Sequence, residues 1–126
     1  MTSINNMNKK LILVIDNDES IIEVISIVLE DSNLHVISVQ IPSFQVFSTN
    51  IPDLIIMDIG PYNQRHREFY DQIRFNGKTA NIPVMLTSTC QGLDKVASSW
   101  NAECYLPKPF DIDHLKTLVN THLNNE

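Results

Sequence analysis

The 126-residue chain sets nine Lys and Arg against fifteen Asp and Glu, a net charge of −6, which argues against sequence-independent binding to nucleic acid or anionic lipid through a broad basic surface. Its 43% hydrophobic content suffices for one compact core, and no apolar run approaches the roughly 20 residues of a membrane span. The opening segment MTSINNMNKK lacks the apolar middle of a secretory signal, so the cytoplasm is the default compartment.

Taken in chain order, residues 1–9 read as a flexible leader. KKLILVID is an uninterrupted apolar run that ends on a carboxylate, Asp16. Such a run, with no polar/apolar alternation, predicts a strand covered on both faces, as in a parallel sheet. ESIIEVISIVLED has helical spacing, with Ile21, Val24, Ile25 and Val28 on one face and Ile22 and Leu29 widening it. LHVISV reads as a strand. IPSFQVFSTN is ambiguous, although Ser43 ahead of Phe44, Val46 and Phe47 could cap a short helix. Leu54 to Met57 form a second unbroken apolar run, stopping on Asp58 before Gly60 and Pro61. REFYDQIRF is helical, FNGKTANIP turn-rich, PVMLT a strand, LDKVASSWNA a modest helix and CYLP a brief strand. DIDHLKTLVNTHL is an amphipathic helix that Asp111 could cap, its apolar residues Leu115, Leu118, Val119 and Leu123 serving packing, and residues 124–126 form a tail.

Five βα repeats predict one domain over residues 10–123, a parallel sheet with helices on both faces. The strand ends then share one edge, where open α/β sheets place their chemistry. That edge would collect Asp16 and Asn17, Asp58, Thr87 and Ser88, and Lys108. Crowded carboxylates repel unless a cation sits among them, and an oxygen-rich site that serves a phosphate fits Mg²⁺. A lysine offers positive charge for phosphoryl oxygens, a hydroxyl a hydrogen bond, and an aspartate can be the nucleophile. The chemistry implied is phosphoryl transfer onto a carboxylate.

At this point the chain resembles the response regulator receiver domain of two-component signalling, the CheY-like fold of the chemotaxis regulator. The likeness covers Lys10 to Leu123 and rests on LILVIDND, PDLIIMDI, IPVMLTS and AECYLPKPF in that order. It implies a doubly wound five-stranded parallel sheet of the flavodoxin-like (βα)5 receiver type. It further implies Asp58 as phosphoacceptor, with Asp16, Asn17, Asp58 and the Gly60 carbonyl around Mg²⁺. Lys108 matches the active-site lysine, and Thr87 with Tyr105 the pair coupling phosphorylation to a face made by the fourth helix, fifth strand and fifth helix. By the same likeness Lys108–Pro109 is cis, swinging Lys108 back over the site. The implied phosphodonor is a histidine kinase or histidine phosphotransfer protein, with a protein target downstream, no direct nucleic acid or membrane binding, and a monomer or weak dimer. No DNA-binding module follows Leu123, so in a full-length chain the output passes through protein contact.

The sequence also departs from the family. Asn17 stands where a second acid is usual, a change expected to weaken Mg²⁺ binding about tenfold, or about 1.4 kcal/mol; Asp18 begins the helix. Pro61 comes one residue early, a glycine usual a few residues later is missing, and the stretch from Thr87 to Lys108 is one residue short. The loop instead carries Arg65, His66 and Arg67. Positive charge at a helix start opposes the macrodipole, so either the helix begins later, or the cluster is solvated surface or grips an acidic partner. Trp100 is either core filling or an exposed anchor.

Two other readings stand beside the phosphorylatable receiver. One is a pseudo-receiver, a binding module that keeps the fold without phosphorylation, supported by Asn17 and the altered loop. The other is a phosphatase of the haloacid dehalogenase type, with the DxD of VIDND supplying Asp16 as nucleophile and Asp18 as acid/base; it leaves Asp58 without a role. Cys90 and Cys104 belong to no CxxC or Cys/His cluster and are expected as free thiols. His35, His66, His114 and His122 stand at no spacing that puts two ligands on one helix face, and are expected in solvent or half-buried.

Overall fold

Unbroken apolar runs are buried twice over in this protein, once by each face of its sheet. In a computed structural model that describes residues 9–60 and 64–123, β1 (Leu11–Ile15) sends Ile12 and Val14 into one core and Leu13 and Ile15 into the other. β3 (Leu54–Asp58) does the same with Leu54 and Ile56 against Ile55 and Met57. This is why neither run alternates: with both faces covered, every side chain is inside. β2 (His35–Val39), β4 (Val84–Ser88) and β5 (Cys104–Pro107) complete one sheet of order β2-β1-β3-β4-β5, and all its pairings are parallel.

Helices α1 (Glu19–Glu30) and α4 (Ile112–Leu123) cover one face through Ile25, Leu29, Leu115, Val119 and Leu123. The other is covered by α2, described from Gln64 to Phe75, and α3 (Leu93–Trp100), through Phe69, Tyr70, Ile73, Leu93 and Trp100. The doubly wound architecture read from the sequence is therefore present, with one difference. The ambiguous second connection is a single 3-10 helix, Phe44–Ser48, so the described residues form four α-helices rather than five. Ser43 caps it, its Oγ accepting from the Gln45 amide. Only Phe47 of this segment is buried, too little apolar contact to sustain a longer helix.

The helix ends follow local chemistry. Asp18 caps α1 by accepting from Ser20 N at 3.0 Å, and Asp111 caps α4 by accepting from Asp113 N at 3.1 Å. The eight-residue α3 lies between Gly92 (φ 85°) and Asn101 (φ 61°), two left-handed residues that stop it sharply on both sides. Val24, expected on the buried face of α1, is 41% exposed, because Ile25 and Leu29 carry the contact with the sheet. At the sheet edge away from the strand ends, Glu103 accepts from Val84 N and pairs with Arg74. That arginine also donates to Tyr70 OH and the Ala80 and Ile82 carbonyls, tying α2 to β4.

The expected leader beyond Lys9, the shifted Pro61 and the 124–126 tail lie outside the described residues. Among the described residues no helix is long and apolar enough to cross a membrane.

Candidate functional site

The strand order reverses between β1 and β3, where successive connections leave for opposite faces. Sheets of this type open a crevice at that point, beyond the carboxyl ends of the strands. Asp16 follows β1 and Asp58 ends β3, so the two carboxylates flank the crevice. Asp58 is in register with Thr87 of β4, and the Ile59 amide donates to the Thr87 carbonyl at 2.9 Å.

Asp16 is 3% exposed. Its Oδ1 accepts from Asp18 N at 2.9 Å, and its Oδ2 lies 2.6 Å from Lys108 Nζ. The same ammonium is 3.6 Å from Asp58 Oδ1. Lys108 is anchored there by its amide, which donates to the Ser88 carbonyl at 2.8 Å; its bond to Pro109 is cis, as the family likeness implied. One lysine thus stands between two aspartates at a place where little water reaches any of the three. Burial pushes the Asp58 carboxyl above the usual aspartate range; Lys108 opposes that and the negative charge of Asp16 adds to it. The two carboxylates carry one more negative charge than the single lysine neutralises.

Next to the pair is a cavity of about 130 Å³ lined by Asp16, Asn17, Gln40, Asp58, Gly60 and His66. Gly60 is the one residue type that fits at its place: an added Cβ would lie 1.9 Å from Ser88 Oγ and 2.9 Å from Ser88 Cβ. The tight approach brings the backbone after Asp58 against the end of β4. Asn17 is exposed at the cavity rim, whereas Asp16 is buried at its base. Asp18 is exposed and engaged as the cap of α1.

Asp16, Asn17, Asp58 and Gly60, predicted as one group, line this cavity together, and Lys108 joins them through its ion pairs. Thr87, 2% exposed, adjoins through its register with Asp58. Tyr105 does not join them. It pairs with Leu86 in the sheet, is 40% exposed, and lines a groove of about 510 Å³ with Ala97, Cys104 and Leu118 between α3 and α4. Sequence reasoning passed over two residues of the wall, Gln40 and His66. Gln40 is held by a bond to Glu19 Oε2 at 2.9 Å.

The basic cluster separates into three environments. The helix does not begin after it: Arg65, His66 and Arg67 all lie within the described α2. Arg65 is exposed, and His66 faces the cavity. Arg67 pairs with Asp71 at 3.1 Å and sits 5.3 Å from the Trp100 ring centroid, a cation held over an aromatic face. Trp100 itself is core, 6% exposed and 5.1 Å from the Tyr70 ring. Both cysteines are free thiols; Cys90 is exposed, and burial raises the Cys104 thiol to about 12.

The donors around the cavity suit Mg²⁺. Among the described residues no three carboxylate, histidine or cysteine side chains form a cage. Two carboxylates backed by amide and carbonyl oxygens match an ion that keeps several of its waters.

No family model matches the chain. It is 34% identical over 116 residues to a DNA-binding dual master transcriptional regulator, RpaA, of Synechocystis, covering 89% of this chain and 48% of that protein. It is 29% identical over 119 residues to the response regulator ArlR of Staphylococcus saprophyticus, covering 91% and 53%. The chain therefore spans about half the length of these curated relatives. A putative response regulator from Chloroflexus aurantiacus superposes with a TM-score of 0.82 at 23% identity, over 92% of this chain and 98% of that one. A signal receiver domain of a histidine kinase from Clostridium thermocellum gives 0.79 at 27%, over 91% and 98%. The chemotaxis response regulator CheY4 of Vibrio cholerae gives 0.81 at 21%, over 92% and 100%. The chain has the CheY-like receiver fold, and its sequence resembles response regulators.

Proposed function

We propose that the chain is a phosphorylatable receiver that takes a phosphoryl group onto Asp58 from a phosphohistidine of a histidine kinase or phosphotransfer protein. The observation that carries this reading is the sharing of Lys108 Nζ between Asp16 and Asp58, 2.6 and 3.6 Å away, at the β1/β3 switch point. A carboxylate oxygen of Asp58 attacks phosphorus as the P–N bond to the donor imidazole breaks, and the imidazole leaves with its electron pair. Lys108 is placed to meet the negative charge on the phosphoryl oxygens, and Thr87 to offer its hydroxyl. Asp16, Asn17, Asp58 and the Gly60 carbonyl would hold Mg²⁺, which when bound supplies the positive charge the transferring group requires.

The product carries more negative charge beside Thr87 than the free carboxylate does. Thr87 then draws inward, and Tyr105, now half out of the groove between α3 and α4, follows it, biasing that face toward a protein partner. Binding of a partner that discriminates the beryllofluoride-treated protein from the untreated one should lose that discrimination in Thr87→Ala. Equal affinity in every state rules the coupling out.

The chemical step has a direct test. Acetyl phosphate with Mg²⁺ should add one phosphoryl group by intact mass, and Asp58→Asn should abolish it. The pseudo-receiver reading draws on the neutral Asn17 at the cavity rim and on the altered loop after Asp58, and it prevails if the unaltered chain takes no label while Asn17→Asp does. A phosphatase nucleophile at Asp16 is disfavoured because Oδ2 is ion-paired with Lys108 and Asp18 is engaged as a helix cap. Label that survives Asp58→Asn and vanishes in Asp16→Asn would revive it.

A further inference from the structure

His66 is the one cavity-wall residue whose side chain comes from α2, facing Asp58 from across the crevice. The third described residue of α2 thus lines the cavity at the strand ends, while the next, Arg67, is carried round to Trp100. The imidazole is half-buried. Burial, the largest influence, and the neighbouring Arg65 charge both disfavour its protonated form, Asp58 favours it, and the balance holds the ring toward its neutral state. A neutral imidazole still presents one ring N–H as a donor.

Placement adds a second argument. The cavity of about 130 Å³ lies directly beside Asp58, with His66 in its wall. A phosphoryl group built onto Asp58 enters that space, which brings its oxygens toward the lining side chains. On one side stand Asp16 and Asn17, with the Asn17 amide as the N–H donor. Of the other polar side chains in the lining, Gln40 donates to Glu19 at 2.9 Å, and His66 presents a ring N–H from α2.

We propose that His66 binds the phosphoryl group once it is on Asp58, donating a ring N–H to a phosphoryl oxygen and screening the acyl phosphate from water. This rests on the phosphorylation reading above and deepens it: the lifetime of the signalling state is set in part from α2, by a residue outside the group that accepts the phosphate. The step it slows is attack of water on phosphorus with cleavage of the bond to the Asp58 oxygen, which returns carboxylate and inorganic phosphate.

The protein would be phosphorylated with acetyl phosphate and Mg²⁺, stripped of donor, and followed by intact mass. Beryllofluoride affinity, which needs no chemical step, would be measured in parallel. His66→Ala should shorten the half-life and weaken beryllofluoride about tenfold, the effect of one hydrogen bond to a charged group. His66→Gln, which keeps an N–H donor, should recover most of both, and the thermal midpoints of the three proteins should agree. An unchanged half-life and affinity in His66→Ala overturn the inference, and a longer half-life overturns it by showing that the ring assists water. A parent protein that neither takes label nor binds beryllofluoride sinks the phosphorylation reading itself, a result separable from any effect of His66.

Discussion

Removing the ammonium from Lys108 tests the charge arrangement of the site without any phosphodonor. In Lys108→Met the chain keeps its length, but Asp16 and Asp58 lose the cation 2.6 and 3.6 Å from them, with side-chain exposures of 3% and 14%. Breaking a buried pair by deleting one partner costs about 3–5 kcal/mol, because the remaining charge is left unmatched. Here two carboxylates lose their partner, yet the adjoining cavity can admit water, so the low end applies, about 3 kcal/mol. That is a large part of the 5–15 kcal/mol typical of a domain. The assay is urea unfolding of parent and variant in EDTA and again in millimolar Mg²⁺, with m-values compared to confirm two-state behaviour. Mg²⁺ should narrow the gap, since an ion at the site proposed on Asp16 and Asp58 would stabilise the folded state and replace the lost positive charge. A loss below about 0.5 kcal/mol in EDTA, or a gap that Mg²⁺ leaves unchanged, would refute the claim that Lys108 and the metal answer the same demand.

Asp58→Asn should stabilise the metal-free protein at neutral pH. The folded carboxyl is raised above its ordinary value by burial, so its share of stability is full below the unfolded value near 3.8 and is lost as pH rises through the folded pKa. The difference between variant and parent should therefore vanish at acid pH, and a parent more stable than the variant at pH 7 contradicts it. Asn17→Asp should tighten Mg²⁺ about tenfold by calorimetry, since a carboxylate near a divalent ion at an exposed rim gains about 1–2 kcal/mol; unchanged affinity would place side chain 17 away from the ion. Of the two thiols, Cys90 should react with a maleimide at pH 8 and Cys104 should not, because raising a thiol from 9.0 to about 12 cuts the thiolate about a thousandfold; two equally fast reactions by mass spectrometry would contradict that. Trp100→Ala should cost about 3–5 kcal/mol as an emptied core site, and Arg67→Ala less than about 1 kcal/mol, by chemical denaturation; the reverse order would make the cation the anchor.

Strands and site were legible for a common reason. Runs such as LIIMD show both burial and its end: four buried residues need no polar partner, and a carboxylate follows where the sheet stops. The periodicity of α1 and α4 was equally plain because each lies on the sheet along one side. The segment around Phe44 was not, since five residues with a single buried side chain give no period to count. Tyr105 shows a further limit. Its sequence position predicts its strand, but a half-exposed ring is placed by the groove between two helices, and that groove exists only after folding.

His66 was out of reach for a different reason. A residue on a strand end inherits its direction from the sheet, whereas a residue in the first turn of a helix changes direction by about 100° with each residue by which the start shifts. The sequence marks no onset for α2: its first described turn holds Gln64, Arg65 and His66 and no acidic residue. The three-residue cluster Arg65 to Arg67 therefore reads as solvated charge, while in the fold it sends one side chain to the cavity beside Asp58 and another to the core tryptophan. That division has a consequence for the charge of the site. With Asn17 neutral, the cluster of Asp16, Asp58 and Lys108 carries a formal charge of −1, one less negative than a site with two acids after β1. A lower charge weakens the pull on a divalent cation but also lessens repulsion of an incoming phosphoryl group. A neutral donor on the opposite wall would add to the second effect without changing the first, and it comes from an element that neither aspartate touches in sequence.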